Sequence, residues 1–211
     1  MKKLNYLLIV FVVLFSMSCV NSLDNSNDVN KIVESGDLIL TDSARTWTEK
    51  DGVICFSVIS DGTNGEEWIA RLESKGFRVN NYAKSVLRSK SFKTTSGVTY
   101  EVAVLKGELF SDNERITGNI SKDAENRELT APNAEVACLI REKYSDKELE
   151  AMELYWIITM HNSIKDSDGD PRLFGIFRNG RGSWLYSDYV RPDNWWDRGS
   201  GFAFVSQVSG F

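Results

Sequence analysis

The sequence predicts a single α+β domain behind an export signal and a polar tether, and two observations support this. Residues 1–45 hold an apolar leader and a stretch rich in Asn, Asp and Ser, which leaves residues 46–211 for one domain. Within that domain, helix-type spacing of apolar residues dominates the middle, whereas short β-branched and aromatic runs between turn residues dominate the final third. Separation of helices from strands along the chain is typical of the α+β class.

The leader is "MKKLNYLLIVFVVLFSMSC", in which Lys2 and Lys3 precede an apolar run from Leu7 to Phe15. This run is too short to cross a bilayer core of about 30 Å, so it predicts a secretory signal over residues 1–19. Its end, Ser-Met-Ser before Cys19, resembles a bacterial lipoprotein signal. The resemblance implies cleavage before Cys19, a lipid such as palmitate on its thiol, and attachment to the membrane through that lipid. An ordinary signal peptide with an incidental cysteine is the alternative.

Residues 20–45 contain few large apolar side chains and therefore predict a flexible tether. Val20 stands directly after the cysteine, where some lipoproteins carry an inner-membrane retention Asp, so we expect a cell-envelope location at the outer membrane or cell surface. The net charge of −5 argues against nucleic acid as a partner, because nucleic-acid-binding domains usually carry a basic face. Cys55 and Cys138 lie in apolar contexts, which favours two buried thiols over a disulfide between them.

The first half of the domain contains a strand, a helix, a second short helix and another strand. The run Gly52–Ser60 is rich in β-branched residues and ends at the turn cluster "DGTNG". The following "EEWIARLESKG" places Trp68, Ile69 and Leu72 at helical spacing and has Gly76 where a C-cap belongs. Residues 80–92 predict the short helix, and a strand begins near Val98.

The second half begins with helices and continues with strands. Residues 112–129 are polar and predicted to be partly helical, and "TAPNAEVACLIREKY" predicts a helix with Val136, Ile140 and Tyr144 facing inward. Ser145 and Glu148 have the spacing of a capping box. The run "YWIITMH" predicts a central strand, and "GFAFV" predicts a last strand with two phenylalanines on one face.

The loop "KDSDGDP" is a candidate calcium site, since Asp166, Asp168 and Asp170 alternate as they do at the start of a calcium loop. The pattern then fails, because Pro171 stands where an EF-hand has Gly and Phe177 where it has Glu. A plain turn stabilised by Asx hydrogen bonds is the favoured interpretation, and bound calcium is the alternative.

Catalytic signals are weak. His161 is the chain's one histidine, and a histidine at the end of an apolar strand is usually structural. No nucleophile motif is present, and no spacing selects a pair of carboxylates. The sequence therefore does not favour an enzyme, and an envelope hydrolase is the least favoured alternative.

The C-terminal stretch "GSWLYSDYVRPDNWWDRGSGFAFV" mixes large aromatics with short polar and charged residues. Buried together, the charged groups would lack partners, and on an ordinary loop the aromatics would serve no purpose. Tyr and Trp beside Ser, Asn and Arg are typical of recognition surfaces. We therefore predict a ligand-binding surface within residues 178–205, with these contact residues: Tyr186, Asp188, Tyr189, Arg191, Asp193, Asn194, Trp195, Trp196, Asp197, Arg198 and Ser200.

Four pieces of this stretch match a family pattern: Arg178, Gly182-Ser183-Trp184, Arg191-Pro192-Asp193-Asn194 and Gly201-Phe202. Together they resemble the C-terminal region of C-type-lectin-like variable proteins, the targets of diversity-generating retroelements. The resemblance implies a C-type-lectin-like, loop-rich β region whose exposed positions are hypervariable. Tryptophan codons contain no adenine, so it also implies that Trp184, Trp195 and Trp196 stay constant.

The favoured function is an exported, lipid-anchored binding protein that recognises a protein or glycan outside the membrane. A carbohydrate-binding module of fixed specificity is the first alternative, because aromatic rings beside Asp and Asn suit a pyranose. Calcium at the Asp166 loop is the cofactor that this alternative admits.

Overall fold

The structure is a computed structural model that describes residues 45–206. The predicted signal, Cys19, residues 20–44 of the predicted tether and the last five residues of the predicted domain lie outside the described residues. Within the described range, no helix is long and apolar enough to cross a membrane.

The described chain is an α+β domain, as predicted, with five α-helices and one ten-stranded sheet. The helices are α1 (Gly65–Ser74), α2 (Asn81–Leu87), α3 (Thr117–Asn126), α4 (Glu135–Lys143) and α5 (Asp146–Ala151). The strands are β1 (Thr48–Lys50), β2 (Val53–Asp61), β3 (Arg78–Val79), β4 (Ser96–Lys106), β5 (Leu129–Thr130), β6 (Trp156–Thr159), β7 (Ile164–Lys165), β8 (Pro171–Asn179), β9 (Gly182–Tyr189) and β10 (Ser200–Ser206).

The strands follow the order β1-β2-β4-β10-β6-β8-β9-β3, so the last strand of the chain lies in the middle of the sheet. Pairing is antiparallel except between β10 and β6 and between β3 and β9. The prediction of a central strand at "YWIITMH" is confirmed, since β6 lies between β10 and β8. Residues Phe202 and Phe204 both pack on one face of the sheet, again as predicted.

Two hydrophobic cores occupy the two faces of the sheet. Helices α1, α2 and α4 cover the first face, where the predicted inward residues Val136, Ile140 and Tyr144 are buried. The second face is covered by α3, through Ile120 and Ala124, and by the chain between β9 and β10. This second, more thinly covered face carries the features described below.

Local sequence signals explain the helix ends. Asn64 and Glu67 form a capping box at α1, and Ser145 and Glu148 form the predicted one at α5. Gly76 follows α1 with φ of +83°, a conformation that glycine adopts at no steric cost, which confirms its predicted role at the helix end.

The prediction of two separate buried thiols is confirmed for Cys138 but is wrong for Cys55, which is half-buried and disulfide-bonded. Cys138 is a buried free thiol on α4, so Cys55 of β2 is not its partner. Burial raises the pKa of the Cys138 thiol well above its ordinary value, which keeps it protonated and unreactive.

The sheet forks near the end of β6. Residues 200–203 in the first part of β10 pair with β6, whereas Val205 and Ser206 at its end pair with β5 instead. The chain after β6 loops out over residues 160–163 and then pairs with β8 as β7. A gap therefore separates β5 from the chain that follows β6.

Candidate functional site

The connecting segment, residues 190–199, joins β9 to β10 across the second face of the sheet. It is fixed against a backing loop, residues 110–118, by backbone hydrogen bonds. The amides of Thr117 and Gly118 donate to the carbonyls of Asn194 and Pro192 over 3.0 and 2.8 Å, and the Trp196 amide donates to the Arg115 carbonyl over 3.0 Å. The connecting segment therefore has a firm support that belongs to the folded core.

The buried Arg115 side chain links the connecting segment to the backing loop through hydrogen bonds. Its guanidinium is 2% exposed and donates to the carbonyls of Gly107, Phe110 and Trp196 over 2.8, 2.9 and 3.4 Å. Asp112 accepts a further bond at 2.9 Å and balances the charge. A planar guanidinium has five N–H donors in fixed directions, so one side chain can satisfy several loop carbonyls at once.

Gly107, which directly follows β4, allows the connecting segment to pack closely against the chain after that strand. A Cβ atom at this position would lie 2.6 Å from the Arg198 carbonyl oxygen and 2.9 Å from that of Ser200. Any larger residue would push the connecting segment away.

The outer side of the connecting segment carries most of the predicted contact residues. Trp195 is 53% exposed, and its indole N–H donates to the Asp112 carbonyl over 2.9 Å, which fixes the ring orientation. The exposed side chains around it are those of Arg191, Asp193, Asp197 and Arg198. Arg191 is 3.5 Å from the Asp193 carboxylate, and Asn194 is half-buried in the turn that the segment makes.

Trp196 and Ser200 are buried, which corrects the prediction that they contact a ligand. The Trp196 ring packs edge-on against Trp156 and Phe202 at centroid distances of 6.2 Å, and its indole N–H donates to the Thr117 hydroxyl. Ser200 begins β10 in the middle of the sheet, where neighbouring strands cover it. This difference could not be predicted from the sequence, because Trp195 and Trp196 are adjacent and chemically identical.

The remaining predicted contacts lie on β9 and point to opposite faces of the sheet. Tyr186 belongs to an aromatic group with Trp156 and Phe177 on the second face. Tyr189, 39% exposed, lies on the other face beside Arg172, whose guanidinium also lies 4.0 Å from the Tyr82 ring centroid. The predicted set is therefore divided between two surfaces.

Asp188 is half-buried on the same face as Tyr186 and forms no hydrogen bond or ion pair with any described residue. Burial raises the pKa of its carboxyl, and the charge of Arg172 offsets only part of that effect. A partly desolvated carboxylate without a partner is unfavourable unless a ligand supplies a donor.

The acidic loop forms a hairpin turn centred on Asp166. Its carboxylate accepts bonds from the amides of Asp168 and Asp170 over 2.8 and 3.0 Å and from Arg172 Nε over 2.6 Å. Burial raises the pKa of Asp166, but these donors outweigh it and hold the pKa below its ordinary value. In the part of the chain that the structure describes, no group of three His, Cys, Asp or Glu residues is arranged to hold a metal.

His161 has a structural environment. Its Nδ1 lies 2.8 Å from the Asn162 carbonyl, and its Nε2 accepts a bond from the Phe174 amide over 3.0 Å. Both ring nitrogens are occupied, which fits the prediction of a structural histidine. Burial lowers the pKa of His161 to about 4, so the ring is neutral near pH 7.

The backing loop is the part of the site that sequence analysis missed. Arg115 and Thr117 lie about eighty residues before the segment they support, in a polar stretch whose only visible signal was partial helicity.

No protein-family model matches this chain, and neither a curated protein nor a solved structure shows significant similarity to it.

Proposed function

We propose that this chain is a lipid-anchored binding protein of the cell envelope that recognises a partner protein through the connecting segment. One observation carries the proposal: an exposed tryptophan, Trp195, is held rigidly among four exposed charged side chains on a backbone that the backing loop supports. Ordered aromatic residues surrounded by charge provide contact area at little entropic cost, as in known paratopes. A glycan is the other partner that the sequence admits.

Site-specific photo-crosslinking tests the proposal. A p-benzoyl-phenylalanine at position 195, introduced in cells that naturally express the chain, should yield a discrete adduct. The same group at position 59 is the matched control, because Ile59 is 62% exposed on β2, away from the connecting segment. Excess purified wild-type chain should compete for the adduct, whereas the Trp195→Ala variant should compete poorly. Equal adducts at positions 195 and 59, or no adduct at position 195, would contradict the proposal.

A carbohydrate-binding role is the second candidate, and the unpartnered Asp188 carboxylate beside Tyr186 favours it. A sugar hydroxyl could donate to Asp188 while the pyranose ring packs on the aromatic group. Glycan-array binding that Asp188→Asn abolishes would support this role. Loss of that binding with chelator would also point to calcium at Asp166, Asp168 and Asp170.

The C-type-lectin-like and hypervariable character of the C-terminal region is also a proposal, supported by the Arg191-Pro192-Asp193-Asn194 motif and its neighbours. It predicts a near-identical copy of the 3′ coding segment close to the gene, differing mainly at adenines, beside a reverse transcriptase gene. A complete genomic neighbourhood with neither feature would contradict it.

A further inference from the structure

The gap where the sheet forks opens into a cleft of about 620 Å³, here called the fork cleft. Its volume lies in the range of roughly 300–1,000 Å³ that is usual for ligand pockets. The floor is apolar and comes from three strands and the chain around them: Leu129, Met160, Leu173, Val190 and Phe204. Helix α3 forms one wall, and the beginning of the connecting segment closes one end.

The fork cleft borders an unpaired strand edge. Among the described strands, β5 pairs only with β10, and residues 129–131 line the cleft. Alternate backbone groups of an edge strand point away from its partner, so β5 offers N–H and C=O groups to a ligand in the cleft. An extended peptide can use such groups by adding itself to a sheet edge.

The two ends of the fork cleft carry opposite charges. Arg191 is adjacent to Pro192, whose carbonyl accepts from Gly118 near the start of α3 over 2.8 Å; the Arg191 guanidinium also lies 3.5 Å from the Asp193 carboxylate and 5.9 Å from the Tyr189 ring centroid. Glu125 lies near the end of the same helix and forms no ion pair with any described residue. Among the residues that line the cleft, Arg191 is the one cation and Glu125 the one carboxylate, since His161 is neutral.

The spacing of these charges indicates the size of the ligand. Gly118 and Glu125 are seven positions apart on α3, which corresponds to an axial rise of about 10 Å. An extended peptide rises by roughly 3.3 Å per residue, so about three residues cover the same distance.

We propose that the fork cleft binds a short extended peptide, with its terminal carboxylate at the Arg191 end and its amino group at the Glu125 end. The apolar floor receives the middle side chain, and the edge of β5 pairs with the peptide backbone. This inference goes beyond the proposed function, because the connecting segment can bind a partner whether or not the cleft holds a peptide.

Calorimetric titration with the tripeptides Ala-Leu-Ala, Ala-Met-Ala and Ala-Phe-Ala tests the proposal on the purified full chain. Acetylating the amino end or amidating the carboxyl end should each weaken binding about five- to tenfold, because each removes one charge-assisted contact. Glu125→Gln should weaken binding of the free peptide but not of the acetylated one. Arg191→Gln should weaken binding of the free peptide but not of the amidated one. A merely structural role for either side chain would not produce this pairing of effects.

Matched variants locate the binding site. Ser121→Trp should fill the cleft from α3 and abolish binding, whereas Lys122→Trp, on the exposed side of the same helix, should not. Lys122→Gln, Arg198→Gln and Trp195→Ala should leave peptide affinity unchanged, which separates this test from that of the proposed function.

Several results would overturn the proposal. They are no saturable binding of any of the three peptides at millimolar concentration, equal affinity for doubly blocked peptides, and undiminished binding to Ser121→Trp. A concentration-dependent dimer that Ser121→Trp abolishes would assign the cleft to a second copy of the chain and would overturn the proposal as well.

Discussion

At the scale of single residues, the support of the connecting segment depends most on Arg115. Replacing Arg115 by Met keeps most of the side-chain length but leaves the buried Phe110 carbonyl without its side-chain donor and leaves the Gly107 carbonyl with only the Phe110 amide as a donor. We expect the free energy of unfolding to fall by about 2–4 kcal/mol, measured by urea denaturation. Arg198→Met is the control, since Arg198 is exposed and its loss should cost less than about 0.5 kcal/mol. Similar urea midpoints for the two variants would contradict the role of Arg115 in supporting the connecting segment.

His161 predicts a specific pH dependence of stability. Its pKa is about 4 in the folded protein and 6.5 in the reference state, so the unfolded chain takes up a proton at a higher pH than the native one. The stabilising effect of keeping this ring neutral is therefore full above pH 6.5 and is lost as pH falls towards 4. Between pH 6.5 and 5, we expect the free energy of unfolding to drop by about 1.5 kcal/mol from this residue.

The measurement is a series of urea denaturations across that pH window. His161 is the chain's one histidine, so no other imidazole contributes to the result. The variant His161→Gln should be less stable at pH 7 but should lose most of the pH dependence. A variant curve parallel to that of the wild type would show that carboxyl groups whose pKa is lowered in the folded protein, such as Asp166, cause the effect instead.

At the scale of secondary-structure elements, the contact between the end of β4 and the connecting segment is the tightest part of the site. Gly107→Ala would place a Cβ 2.6 Å from the Arg198 carbonyl, so the segment must shift. We expect a loss of about 1–3 kcal/mol in the free energy of unfolding. Gly180→Ala, in the turn between β8 and β9, meets nothing within 4 Å and should be nearly neutral. The loss should come with altered amide chemical shifts in residues 190–199, and unchanged shifts there would argue against the contact.

Elements with local causes were predictable from the sequence. The helix α1 and the capping boxes depend on residues within one or two turns, and β6 and β10 show their apolar runs directly. The strands β3, β5 and β7 have two residues each, too few for a periodic signal, and exist because distant strands offer them partners. The fork in the sheet, which depends on β5 and β7, could not be predicted for the same reason.

At the scale of the whole molecule, the predicted lipid on Cys19 would tie the domain to a membrane. Metabolic labelling with an alkyne palmitate should mark the wild-type chain, and Cys19→Ser should remove the label and release the chain into the soluble fraction. The physical reason is the loss of about 0.8 kcal/mol of membrane affinity for each buried methylene. Cys138→Ala is the matched control, because this thiol is buried in the core and should not affect labelling. A label that persists in Cys19→Ser would contradict the anchor.

The candidate site as a whole was predictable only in composition. The sequence indicated that residues 178–205 mix aromatic and polar groups, but the division of Trp195 and Trp196 between solvent and core depends on the backing loop. Likewise, alternation along β9 explains why Tyr186 and Tyr189 lie on opposite faces. That both residues belong to one continuous strand, however, follows from the pairing of β9 with β8.

The hydrogen bonds that hold the connecting segment come largely from main-chain amides and carbonyls, so they do not depend on which side chains that segment carries. Substitutions at its exposed positions should therefore alter affinity without disturbing folding. Natural variants of this chain should accumulate replacements at positions 193, 197 and 198 while Arg115 and Gly107 remain the same. Such an arrangement gives the protein a region that selection can reshape quickly on a frame that it must preserve.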